Sequence, residues 1–100
     1  MMTQETEVDS IIEGLTGVLQ IGKCYLIRSV YYWTGRVVSV RGGFVELEDA
    51  AWIPVTSRFS DCVQGKTLPE EVEPVGTAFV LIRNIIDVVP WNNPLPKKQK

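Results

Sequence analysis

Two hydrophobic periods divide the chain. Across residues 6–19, TEVDSIIEGLTGVL, the apolar residues Val8, Ile11, Ile12, Leu15, Val18 and Leu19 recur every three or four positions, with Asp9, Glu13 and Thr16 between them. That spacing draws one apolar stripe along a helix. Thr6 stands where an amino-terminal cap belongs, and Glu7 and Asp9 suit the positive end of the helix dipole. Gly14 and Gly17 each cost up to about 1 kcal/mol relative to alanine. The predicted helix is therefore short and depends on packing against something else.

From Lys23 onward the period shortens to that of strands. Cys24–Val30 (CYLIRSV) is rich in β-formers, and Tyr31-Tyr32-Trp33 follows it directly. Thr34-Gly35 leads into Arg36–Val40 (RVVSV), then the Gly42-Gly43 pair, then Phe44–Glu48 (FVELE). A Gly-Gly step between two such runs predicts a hairpin, because glycine accepts the positive φ angles of primed turns. In the second run Phe44, Glu46 and Glu48 fall on one face, and Val45 and Leu47 on the other. Asp49-Ala50-Ala51 reads as a strand break, and Trp52–Val55 as a further short strand. Ser57–Gln64 reads as a turn or two of helix, capped by Ser57 and ended by Gly65. Lys66–Pro74 reads as a proline-bounded acidic loop. Phe79–Ile82 and Ile85–Val89 are the last strands, with Arg83-Asn84 turning between them, and Pro90–Pro96 is extended.

One short helix followed by five or six strands with tight turns predicts a mainly β chain. Such a chain closes most readily into a small, strongly bent barrel, since closure removes exposed edges. Residues 1–96 are expected to form this single domain, with the helix at about 6–19 and the Lys-rich residues 97–100 as a flexible tail. A chain of 100 residues with 45% hydrophobic and 22% charged content accords with one small core. Its apolar runs are far shorter than the roughly 20 residues a membrane-spanning helix needs.

Charge and chemistry narrow the functions. Ten basic residues face twelve acidic ones, and three of the ten, Lys97, Lys98 and Lys100, lie in the last four positions. The remaining body is markedly acidic and repels phosphate, which disfavours nucleic acid as a partner. The chain has no histidine, so its Ser and Cys lack their commonest activating base. Cys24 and Cys62, 38 positions apart and without histidine, do not make a zinc set and read as reduced thiols. Glu46, Glu48 and Asp49, and likewise Glu70, Glu71 and Glu73, read as solvated faces rather than acid–base pairs or calcium ligands. No catalytic residue, metal or cofactor is expected.

Two resemblances add to this reading. Tyr32–Ile53, YWTGRVVSVRGGFVELEDAAWI, resembles the first half of an Sm-like barrel in Gly35, Val37–Val40, the Gly42-Gly43 turn and Val45–Asp49. The order of helix first and strands second agrees with that family. The resemblance implies a small barrel that forms rings. The lysine- and histidine-rich second motif that lines the RNA pore of the bacterial Sm-like chaperones has no counterpart in 79–89, which offers Arg83 and Asp87. A second resemblance, to small proteins of tailed phages and prophages, rests on Ile21-Gly22-Lys23, Tyr32-x-Thr-Gly35, Leu47–Ile53, Arg58-Phe59 and Trp91-x-x-Pro94-Leu-Pro96. It implies a phage context and no chemistry.

The expectation that emerges is a non-enzymatic, self-assembling β-barrel, a homo-oligomer serving as a phage capsid or tail component with other virion proteins as partners. It would reside in the cytoplasm of a bacterium or infected host cell, or in the assembled particle. Val8, Ile11, Ile12 and Leu15 of the helix, with Tyr31, Tyr32, Trp33 and Trp91, are the candidate interface residues. An alternative is a sponge that sequesters an anionic nucleotide, using Arg28, Tyr31, Tyr32, Trp33, Arg58 and Arg83 through arginine forks and aromatic stacking. A second alternative is an Sm-like RNA-binding ring.

Overall fold

Alternating apolar positions along Cys24–Arg28 (β1), Tyr32–Arg41 (β2), Phe44–Val55 (β3), Glu71–Leu81 (β4) and Asp87–Pro90 (β5) build one antiparallel sheet in the order β4-β3-β2-β1-β5. The computed structural model describes residues 17–56 and 58–98. The predicted helix at 6–19 thus lies mostly outside the described residues, as do Val8, Ile11, Ile12 and Leu15; Gly17 and Val18 are helical. Just after them, the Tyr25 hydroxyl accepts from the Gln20 amide at 2.9 Å and donates to the Val18 carbonyl at 3.1 Å, which fixes the entry into β1.

Five strands form, within the five or six expected, and two of their boundaries differ from the reading of the sequence. The predicted break at Asp49-Ala50-Ala51 is a bulge inside one long β3: Asp49 takes a φ of 49° and the pairing shifts on both sides. An aspartate tolerates the left-handed region better than most residues, and a bulge bends a strand without ending it. Conversely, the predicted loop at Lys66–Pro74 ends at Lys66–Glu70, because Glu71 already belongs to β4. Pro74 and the glutamates sit comfortably there because β4 is an edge strand. The Gly42-Gly43 turn forms as predicted, with φ values of 59° and 80° joining Arg41 to its cross-strand partner Phe44.

The sheet curls upon itself. The Ile82 amide donates to the Gly43 carbonyl at 2.9 Å, and four residues later the Ile86 amide donates to the Arg28 carbonyl at 2.8 Å. A short connection therefore touches both the β2–β3 turn and the far end of β1. Gly35 lies at the bend, where a Cβ would come within 3.0 Å of the Leu47 Cβ and 3.3 Å of the Ala50 Cα, so any larger residue would have to push these neighbours aside.

Each face of the sheet has its own core. The concave face buries Leu19, Tyr25, Ile27, Val37, Val45, Leu47, Ala50, Ala78, Val80 and Ile82. The convex face buries Leu26, Ala51, Ile53 and Val72 beneath two non-strand segments: the one-turn helix Phe59–Val63 (α1), through Cys62, and the carboxy-terminal arm, through Trp91 and Leu95. Arg58 rather than Ser57 precedes the first helical residue and makes no side-chain cap; Ser57 itself lies outside the described residues. Gly65 follows the helix with a φ of 81°, as predicted. The arm is stitched down by the Trp91 amide to the Cys24 carbonyl at 3.0 Å, the Asn92 amide to the Val63 carbonyl at 3.2 Å, and the Asn93 amide group to the Cys62 and Thr67 carbonyls at 2.5 and 2.9 Å. Lys97, expected in a free tail, pairs with Asp49 at 2.7 Å.

Candidate nucleic-acid interface

The curl brings two connections together at one end of the sheet. One is the Gly42-Gly43 turn, flanked by Arg41 and Phe44; the other is the 3-10 turn Ile82–Asn84, which follows β4 directly. The Ile82–Gly43 hydrogen bond joins them. Ile82 is buried and anchors the junction, while Arg41, Arg83 and Asn84 are exposed. The result is a compact patch with two guanidinium groups, one carboxamide, exposed turn backbone and the ring of Phe44. Such a set can hold phosphate through arginine, stack a base on an aromatic ring and bond a base edge through an amide.

Strand alternation extends the patch along the convex face. Phe44 faces Leu81 across the β3–β4 pairing, and Glu46 faces Phe79. Phe44, Phe79 and Leu81 are all exposed, and Phe79 most of all at 59%. Ser39 donates its hydroxyl to Glu46 Oε1 at 2.9 Å, and Arg41 lies 3.6 Å from the same oxygen. Ser39, Arg41, Gly42, Phe44, Glu46 and Phe79 line a groove of about 270 Å³.

A second group of charges lies at the bulge. Asp49 sits between Lys97 at 2.7 Å and Arg36 at 2.9 Å, with Glu48 on the far side of Arg36 at 3.6 Å. The hydrogen bond from Lys97, then that from Arg36, holds the Asp49 carboxyl below its usual range. Asp49 in turn raises the Arg36 guanidinium above its ordinary value. This network ties the arm to the bend and pairs its two cations with two carboxylates. Arg28 is likewise engaged, by a hydrogen bond and ion pair with Asp87 that raise its guanidinium.

The sequence-predicted site residues fall in different places. Tyr31 is 55% exposed and sets its ring edge-on to Trp52 at 5.2 Å. Tyr32 turns to the convex side and meets Phe59 at 5.8 Å, whereas Trp33 packs against the concave core. Consecutive strand residues point to opposite faces, so Tyr32 and Trp33 do not line one cleft. Trp91 is 4% exposed, enclosed in the convex-face cluster of its own chain. Arg58 opens α1 and Arg83 lies on the 3-10 turn. Of the six nucleotide-site candidates, Arg83 alone belongs to the joined turns. Arg41, Phe44, Glu46, Phe79 and Asn84 were not singled out as a group. Their signal was the turn pair flanked by Arg41 and Phe44, and the alternation that sends Phe79 and Leu81 away from Ala78 and Val80. Among the described residues, no cluster of three or more His, Cys, Asp or Glu could hold a metal ion, and no helix is long and apolar enough to cross a membrane.

Comparison with solved structures identifies the fold. A heptameric archaeal Sm protein matches with a TM-score of 0.52 and 24% identity over 74% of this chain and 96% of its own. The SmAP1 heptamer of P. aerophilum matches with a TM-score of 0.55 and 24% identity, over 79% of this chain and 95% of its own. The chain therefore has the Sm-like β-barrel fold expected from Tyr32–Ile53. No family model and no curated protein matches it. Both matched structures are archaeal Sm proteins and lend the phage reading no support.

Proposed function

We propose that the protein is a non-enzymatic, homo-oligomeric ring of Sm-like barrels that binds single-stranded RNA at the joined turns. The observation that carries this reading is the Ile82–Gly43 hydrogen bond. It gathers Arg41, Phe44, Arg83 and Asn84, which are far apart in the sequence, into one patch suited to phosphate and bases. Assembly is supported by the sheet order, which leaves β4 and β5 at opposite edges. Open strand edges invite pairing with another chain, and the same edge-to-edge step repeated by rotation closes a ring. Both matched Sm structures are heptamers, and one of them carries implications for the eukaryotic snRNP core. The acidic body weakens long-range attraction to RNA, but a ring repeats each basic patch and so concentrates it. The virion-component and nucleotide-sponge readings accord with the same barrel. The first has no observation of its own. The second divides Tyr32 and Trp33 between two faces. A reducing cytoplasm, bacterial or of an infected host, accords with Cys24 and Cys62 standing outside any disulfide.

Native mass spectrometry joined to fluorescence anisotropy with a labelled uridine hexamer tests the proposal. A closed oligomer is expected, with binding that weakens steeply with salt and falls at least about tenfold in Arg83→Glu. A bare monomer, or a ring indifferent to the hexamer, overturns it.

A further inference from the structure

Resting on the RNA reading, we infer that the groove on the convex face beside the β2–β3 turn is a slot for a guanine base. A simple surface strand would leave positions 44 and 79 polar, and here both are phenylalanine. Phe44 and Phe79 lie on neighbouring strands as diagonal cross-strand neighbours, both open to solvent at 41% and 59%. Two such rings side by side offer a stacking wall to any base. The wall alone does not discriminate; the polar floor does. Glu46 borders both rings, directly opposite Phe79 and two residues along β3 from Phe44, with only 21% of its side chain exposed. Ser39 and Arg41 both approach Oε1, so that among the described residues Oε2 has no protein partner. A carboxylate only accepts hydrogen bonds, and its two oxygens match two adjacent N–H donors.

Guanine supplies that pair on its Watson–Crick edge, N1–H beside the 2-amino group. Uracil offers one N–H between two carbonyl oxygens, which the carboxylate repels. Cytosine and adenine each set an acceptor nitrogen next to their amino group. Arg41, on the rim of the groove and 76% exposed, completes the selection, because arginine donates to the O6 and N7 acceptors of guanine. The groove opens at Gly42, so a strand held at the joined turns enters it without leaving the protein surface.

The test uses the full-length oligomer and anisotropy at fixed salt, with a uridine hexamer, the same hexamer carrying one central guanosine, and one carrying inosine there. Guanosine is expected to tighten binding about tenfold over the all-uridine hexamer, with inosine, which lacks the 2-amino donor, in between. In Glu46→Gln the preference for guanosine shrinks to within about twofold. Phe79→Ala, at an exposed position, loosens the guanosine hexamer more than the uridine one. Equal affinity for all three hexamers, or a preference that Glu46→Gln leaves intact, overturns the slot and leaves RNA binding standing. Failure to bind any hexamer overturns the RNA reading, and the slot with it.

Discussion

The convex face of this sheet is finished in two ways. Over Leu26, Ala51, Ile53 and Val72 it is roofed by Cys62 of α1 and by Trp91 and Leu95 of the arm. Over the far halves of β3 and β4, Phe44, Phe79 and Leu81 are left bare. Both halves carry outward apolar side chains, but only one has been given a lid. On the same strands Glu48 and Thr77 show the ordinary solvent-facing choice. The bare half therefore does not need its aromatic rings for the stability of a single chain, and its continuity with Arg41 and the Gly42-Gly43 turn gives them a use in binding. An exposed apolar patch with a polar rim is the usual mark of an interaction site.

Truncation is the strongest way to break the comparison. Trp91→Ala empties the roofed half and is expected to destabilise the protein by about 3–5 kcal/mol, whereas Phe79→Ala on the bare half changes stability by less than about 0.5 kcal/mol. Urea unfolding of both variants decides the matter, and equal losses would erase the distinction between the halves. Asn93→Ala sharpens it. Removing the amide that bonds the Cys62 and Thr67 carbonyls is expected to lower stability by about 1–3 kcal/mol and to speed hydrogen exchange across 59–67 ahead of the strands. The smallest effect concerns the arm's last anchor. Asp49 has a depressed pKa, chiefly from Lys97, so its contribution is complete above the ordinary carboxylate range and is lost as pH falls through the lowered value. Lys97→Ala should therefore melt slightly earlier than the parent at neutral pH, and the gap should close in acid and in high salt. Melting curves across a pH series show this directly.

These halves were unequally legible in the sequence. The Gly42-Gly43 turn, the alternation of Phe44 to Glu48 and the Gly65 stop depend on local rules, and each formed as read. The passage of β3 through Asp49 was not legible, because a positive φ at a non-glycine residue looks like an ending until the neighbouring strands are seen to continue. Glu71–Pro74 looked like loop because proline and glutamate are poor strand formers, and only their place at a sheet edge makes them acceptable. Arg83 was named as a ligand residue from its charge alone. Its company was hidden, since Arg41 and Phe44 reach it only through the Ile82–Gly43 bond. Glu46 read as one more solvent-facing acid because nothing local reveals the ring of Phe79 across the strand pair.

The bulge at Asp49 acts as a phase change in the reading of β3. Before it odd-numbered residues, Val45 and Leu47, enter the concave core; after it the even-numbered Ala50 does so, while Ala51 and Ile53 turn to the roofed side. The count thus slips by one at the bulge. Deleting that single residue would restore strict alternation with Ala50 still inward and Ala51 and Ile53 still on the roofed side, so that the bend and not the facing is lost. In the grammar of insertions and deletions, position 49 is a frame marker: the alternation absorbs its one extra residue, and losing that residue costs β3 its bend while every later residue keeps its side of the sheet.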